Sequence, residues 1–197
     1  MTQDEMELFK GLPVIAFASS DVWRDWLHDH HATSKGIWLR IFKAGSGQLT
    51  VTYAEALDEA LCYGWIDSTK NSYDADSFLQ RFSPRKARSP WSKVNREHIA
   101  RLTEAGKIHA SGLAAVEDAK RNGEWEAAYD SQKRSTVPED FQTLLDANPE
   151  ARDFFQSLNS ANRYAFLYRI QKCKTPEMRA KKIAWSLDKL LNRESLH

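Results

Sequence analysis

The chain has 197 residues, 42% hydrophobic and 28% charged, which is enough length and apolar content to bury a core without disulfide or metal staples. Its 28 Lys and Arg nearly balance 27 Asp and Glu, so the molecule as a whole is not a polycation drawn to nucleic acid or anionic lipid. Eight Gly and six Pro exclude collagen-like and low-complexity chains, and seven Trp, six Tyr and nine Phe exclude a disordered one.

In chain order, residues 12–18 (LPVIAFA) read as a short apolar strand ended by Ser19-Ser20. Ser20 or Asp21 then caps a helix to about residue 30, with Val22, Trp23, Trp26 and Leu27 on its apolar stripe. Ile37–Phe42 (IWLRIF) is β-branched and aromatic, hence a second strand, and Gly45-Ser46-Gly47 makes a loop. Thr52 with Glu55 three residues on has the capping-box spacing. The helix that follows carries Tyr53, Ala56, Leu57, Ala60 and Leu61 on one face and stops at Gly64. Trp65–Thr69 and Ser77–Phe82 read as two strands joined through NSYDAD.

Beyond residue 90 the pattern is helical. Ser89 and Pro90 read as cap and first position of a helix over 91–104, and a second helix runs over 111–121. Residues 130–137 are polar and linker-like. The stretches 138–147, 149–158, 160–173 and 175–191 suit four short helices. The expected fold is therefore α+β: an N-terminal small sheet with helices over residues 1–130, then an all-helical C-terminal module over 135–197.

Cys62 and Cys173 lie far apart, each within an apolar helical pattern, and read as free thiols. The acidic start Met1-Thr2-Gln3-Asp4-Glu5 lacks the basic-then-apolar form of a secretion signal. The apolar run Leu12–Ala18 falls short of the roughly 20 residues that span a bilayer. A cytoplasmic protein without membrane insertion is expected.

Charge is not evenly spread. Residues 81–101 hold Arg81, Arg85, Lys86, Arg88, Lys93, Arg96 and Arg101 against the single acid Glu97, bracketed by Trp65 and Trp91. With Asp67, Ser92 and Asn95 as hydrogen-bonding groups and a helix start at Ser89-Pro90-Trp91, this composition suits a small anion, because guanidinium groups and free helical N–H groups both favour negative charge. The ligand-binding set expected is Trp65, Asp67, Arg81, Arg85, Lys86, Trp91, Ser92 and Asn95. The plainer alternative is a solvated basic face paired with Asp67, Asp74 and Asp76.

Other chemistries find little. His28 and His31 have an i,i+3 spacing without a companion ligand cluster, so no metal is expected. Phosphate-loop, dinucleotide, nucleophile-elbow and zincin motifs are all missing. Cys62 sits near a helix C-terminus, which disfavours a thiolate. Arginine neighbours would make Asp67 a weak general base. A second basic face (Arg163, Arg169, Lys172, Lys174, Arg179, Lys181, Lys182) alternates with the apolar residues of the C-terminal helices.

Three ordered motifs, ALCYGWIDS (60–68), RFSPRKARSPWSKVN (81–95) and LYRIQKCKTPEMRAKKI (167–183), resemble the bacterial YdeI/OmpD-associated, or bacteriocin-protection, family over about residues 12–195. The resemblance implies an α+β part followed by a helical module and a role related to protection against bacteriocins. It places Gly64, Trp65, Ile66, Asp67, Arg81, Phe82, Pro84, Arg85, Lys86, Trp91, Ser92 and Asn95 at family-like positions. The resulting expectation is a non-catalytic protein that binds a small anionic ligand and needs no cofactor. The alternatives are an enzyme acting on a phosphorylated or other anionic substrate, with Asp67 as base, and an adaptor that docks a protein partner through its C-terminal helices. Nucleic acid is disfavoured as a partner.

Overall fold

A computed structural model of the chain describes residues 7–196, so the acidic start Met1-Thr2-Gln3-Asp4-Glu5 lies outside the described residues. The fold is α+β, with its sheet in the N-terminal part. The chain divides into two compact units, Met1–Ser89 with Glu97–Asn122, and Pro90–Arg96 with Gly123–His197.

The first unit is built on a five-stranded sheet of β1 (Leu8–Phe9), β2 (Leu12–Ala16), β3 (Ile37–Phe42), β4 (Trp65–Ser72) and β5 (Ser77–Pro84), in the order β1-β2-β3-β5-β4. Only β2 and β3 pair in parallel, which demands a crossover, and helix α1 (Ser20–His30) supplies it. The two-residue β1 was not legible as a strand. It exists because Lys10 and Gly11, both at positive φ, make a tight two-residue hairpin turn onto β2.

Ser19 caps α1 by accepting from the Val22 amide, and the helix buries Trp23 and Leu27 completely. Val22 is 49% exposed, so the apolar stripe is narrower than its composition suggests. Helix α2 (Tyr53–Cys62) carries the capping box expected of Thr52 and Glu55 and buries Ala56, Leu57, Ala60 and Leu61, while Tyr53, at its first position, stays partly exposed. Trp23, Trp65 and Phe82 meet in the core between these helices and the sheet, with ring centroids 5.8–6.3 Å from Trp23.

Helix α3 (Lys93–Glu104) begins two residues later than Ser89-Pro90 suggests. Trp91 and Lys93 exchange backbone hydrogen bonds with Tyr129, which holds residues 91–93 extended, and the Ser92 hydroxyl caps the helix by accepting from the Asn95 amide. Ser89 instead accepts from the Lys86 amide in the preceding loop. Helix α4 (Ala110–Arg121) crosses the end of α2 at very close range. A Cβ on Gly112 would stand 2.2 Å from the Cys62 carbonyl oxygen, and Gly64, at φ +74, could not carry one without meeting Ser111.

In the second unit, residues 123–138 form turns, and helices begin at α5 (Glu139–Asp146), followed by α6 (Pro149–Ser157), α7 (Ser160–Gln171) and α8 (Pro176–Leu191). Phe141, Leu145, Phe155, Phe166, Leu167, Ile170 and Leu190 form their core. The linker-like stretch is tied down at its start: the Asp130 carboxylate accepts from Lys93, its amide donates to Gln171 Oε1, and its carbonyl accepts from the Tyr164 hydroxyl. Among the described residues no helix is long and apolar enough to cross a membrane.

Candidate functional site

The eight residues expected to bind a ligand are distributed over both units. Trp65, Asp67, Arg81, Arg85 and Lys86 belong to the first unit, and Trp91, Ser92 and Asn95 to the second. Within the sheet, Trp65 pairs with Pro84 and Asp67 with Phe82, so both lie on the face covered by α1 and α2. Arg81, one position from Phe82, points to the opposite face. The indole of Trp65 is 1% exposed and donates to the His31 carbonyl, and Trp91 is 2% exposed. Both therefore serve as packing in the core of their own units. Ser92 and Asn95 are joined in the helix cap already described.

The local acids do not partner the basic segment. Asp67 accepts from the Tyr53 hydroxyl at 2.7 Å. Burial and that carboxylate together hold the Tyr53 hydroxyl well above the usual tyrosine range. Asp74 pairs with Arg40 at 2.6 Å and accepts from Ser77, and these hydrogen bonds hold its carboxyl below the usual range. Elsewhere several cations are matched: Arg24 with Glu59, Arg101 with Asp58, Arg179 with Asp140, and Lys172 and Lys174 with Glu124. Among the described residues Arg81, Lys86 and Arg88 have no carboxylate partner. The loop that carries Lys86 and Arg88 is held by two hydrogen bonds, the Arg85 amide donating to the Gly64 carbonyl and the Asn122 side chain to the carbonyl of Ala87.

Two polar groups on the sheet went unread in the sequence. The Nε1 of Trp38 and the Nδ2 of Asn71 are buried without a hydrogen-bond acceptor. Trp38 had been legible only as a strand residue, because an indole in an apolar run gives no sign of whether its N–H is satisfied.

A further cluster was also missed. His98 and Arg101, three apart on α3, both bond Asp58 on α2, at 2.6 and 2.7 Å. Burial would raise the Asp58 carboxyl, but these two bonds outweigh it and hold it low. An i,i+3 pair is visible in sequence, whereas its partner forty residues upstream is not. The Asp–His contact resembles the oriented base of a triad. With Arg101 neutralising the carboxylate and no nucleophile bonded to His98 among the described residues, it acts as a tie between the helices.

His109 caps α4 by accepting from the Ser111 amide through Nδ1, stacks on Tyr63 at 4.8 Å, and faces His31 and His28. Burial, with the two histidines, keeps it below the usual histidine value. No group of three His, Cys, Asp or Glu side chains among the described residues could hold a metal ion. Cys62 is 1% exposed, and burial, with Glu59 and Asp58, pushes its thiol up to about 11, the opposite of an activated nucleophile.

In the second unit, most of the basic residues of α7 and α8 are used internally. Lys172 and Lys174 close on the buried Glu124, Arg163 caps the carbonyls of Gln156 and Leu158, and Arg169 bonds the Ala165 carbonyl. An apolar groove of about 530 Å³ runs between α5 and α8, lined by Leu144, Ala180, Ile183, Ala184 and Leu187, with the Asp140–Arg179 pair at its edge.

Comparison with known families divides the chain. Residues 15–115 match the model of a domain of unknown function, DUF8412, and residues 134–193 match that of the family described as Bacteriocin-protection, YdeI or OmpD-Associated. The resemblance expected over residues 12–195 is thus found over the C-terminal helices, which carry the 167–183 motif, while the two upstream motifs fall within residues 15–115. No curated protein and no solved structure matches the chain.

Proposed function

We propose, for a chain that belongs to the DUF8412 family through residues 15–115 and whose residues 134–193 match the model of the bacteriocin-protection, YdeI or OmpD-associated family, that it is a non-catalytic, protection-related protein of the cytoplasm that binds a small anionic ligand. The observation that supports this reading is the set of cations on and after β5. Arg81, Lys86 and Arg88 lack carboxylate partners among the described residues, and the upstream acids Asp67 and Asp74 are committed to other groups. A charged group left without a counterion on an ordered loop is stabilised by any anion that reaches it. Trp65 and Trp91, being buried, offer no stacking surface. An enzyme with Asp67 as base is less well supported, since that carboxylate is held by Tyr53 on the helix-covered face.

The test is a thermal-shift screen of the full chain against nucleotides, phosphorylated metabolites and carboxylates. A ligand at a hundredfold excess over its dissociation constant adds about 2.7 kcal/mol to stability, a shift of roughly 5–10 °C for a chain of this size. The shift should vanish in the Lys86→Ala/Arg88→Ala variant, whose side chains are exposed. A screen without hits would overturn the reading and favour an adaptor that docks its partner in the apolar α5–α8 groove.

A further inference from the structure

The proposed anion site extends onto a face of the sheet that the sequence did not single out. Trp38 is 3% exposed, and its Nε1–H is buried with no acceptor. Asn71 Nδ2 is in the same condition on β4. The strand registers put both groups on the face that carries Arg81. Trp38 lies directly opposite Arg81, and Asn71 lies opposite Leu79, two residues from Arg81 on β5. An indole N–H, an amide NH2 and a guanidinium are all donors, and the first two have no acceptor in the fold. Lys10 adds a further positive charge, its Nζ 5.9 Å from the Trp38 ring centroid. The other arginine of this face, Arg40, is already occupied by Asp74 and Ser77. A buried donor left without an acceptor costs free energy, and a negatively charged acceptor that reaches Trp38 Nε1 and Asn71 Nδ2 beside Arg81 removes that cost at both.

Resting on the anion-binding reading above, we infer that Trp38, Asn71 and Arg81 form the specific pocket for the oxyanion head of the ligand, a carboxylate or a phosphate. Arg81 supplies the charge, and the two buried donors supply direction, while Lys86 and Arg88 attract the anion from solvent. The Phe9 ring, perpendicular to that of Trp38 and 5.2 Å from it, borders this side.

The experiment follows the indole N–H resonance of Trp38 in the 15N-labelled full chain, assigned by its loss in Trp38→Phe, during titration with inorganic phosphate and, separately, with acetate. A saturable downfield shift is expected with one of the two, which identifies the head-group class, and Arg81→Ala should weaken binding at least tenfold. Arg81 has no partner among the described residues, so its removal leaves no orphaned acid in the fold. If an anion binds and the Lys86→Ala/Arg88→Ala variant abolishes that binding while the indole resonance never moves, the anion-binding reading stands and the pocket is refuted, the Trp38 N–H then being spent on the Phe9 ring. If neither anion moves the resonance and no ligand shifts the melting temperature, both fall together.

Discussion

Replacing Gly112 by alanine tests whether the apposition of α2 and α4 is as close as described. In an open helix the change would be favourable, since alanine is preferred to glycine by about 1 kcal/mol. Here the new Cβ would lie 2.2 Å from the Cys62 carbonyl oxygen, 2.8 Å from its carbon and 3.1 Å from Ile108 Cγ2. The first two are backbone atoms and cannot rotate away. To restore ordinary contact the helices must part by roughly 1 Å or more, which strains packing by about 1–3 kcal/mol. The separation also stretches the 3.0 Å bond from the His109 amide to the same Cys62 carbonyl, a contact of about 1 kcal/mol. The balance is a net loss of about 2 kcal/mol, seen as a melting temperature lower by about 4–8 °C in a chain of this length. Circular dichroism at 222 nm reads it, with Gly123→Ala as control. Gly123 has φ +78 but open space around it, so it carries only the backbone strain. A Gly112→Ala protein as stable as the wild type would refute the close approach.

Two further outcomes follow from titrating groups. His109 must be unprotonated at Nδ1 to cap α4, and its folded value lies below 6.5, so the unfolded chain binds the proton more readily. Stability is therefore full above about pH 6.5 and falls as the pH drops through the lowered folded value; melting curves between pH 7.5 and 5 should show this, and His109→Asn, which keeps a capping acceptor, should flatten the dependence. Cys62, with its thiol raised to about 11 and its side chain buried, should resist a colourimetric thiol reagent in the native protein and react only after unfolding, whereas the half-buried Cys173 reacts first. Rapid native labelling of both thiols would contradict the burial.

Much of the architecture was readable because it rests on local rules. Thr52 and Glu55 announce α2, Thr175-Pro176 announces α8, and the IWLRIF run announces the central strand, and each depends on neighbours within a few residues. The start of α3 was misplaced because a pairing with Tyr129, over thirty residues downstream, holds residues 91–93 extended against a local preference for Pro90 at a helix start. The same distinction divides the two family-like motifs. CYGW is explained by packing: Cys62 receives α4, Gly64 takes a positive φ, and Trp65 fills the core. In the RFSPRK segment sequence composition exposed the excess of charge, but only the folded chain reveals that the obvious acids, Asp67 and Asp74, are engaged elsewhere. Which face of the sheet Arg81 shares, and with which donors, depends on strand register, and no single strand encodes it.

The discontinuous make-up of the two units constrains the order in which the protein matures. On the ribosome Pro90–Arg96 emerges before Glu97–Asn122, yet it belongs with Gly123–His197. The first unit is incomplete until Asn122 is out, although its last strand ends at Pro84, and the second cannot assemble until synthesis is nearly finished. At about 5–20 residues per second, the segment around Trp91 therefore waits several seconds for the residues that bury it. A gene fragment that ends at Ser89, or one that begins at residue 134, would cut through a compact unit; expression boundaries for isolated pieces of this chain are better drawn by which residues pack together than by where sequence families begin and end.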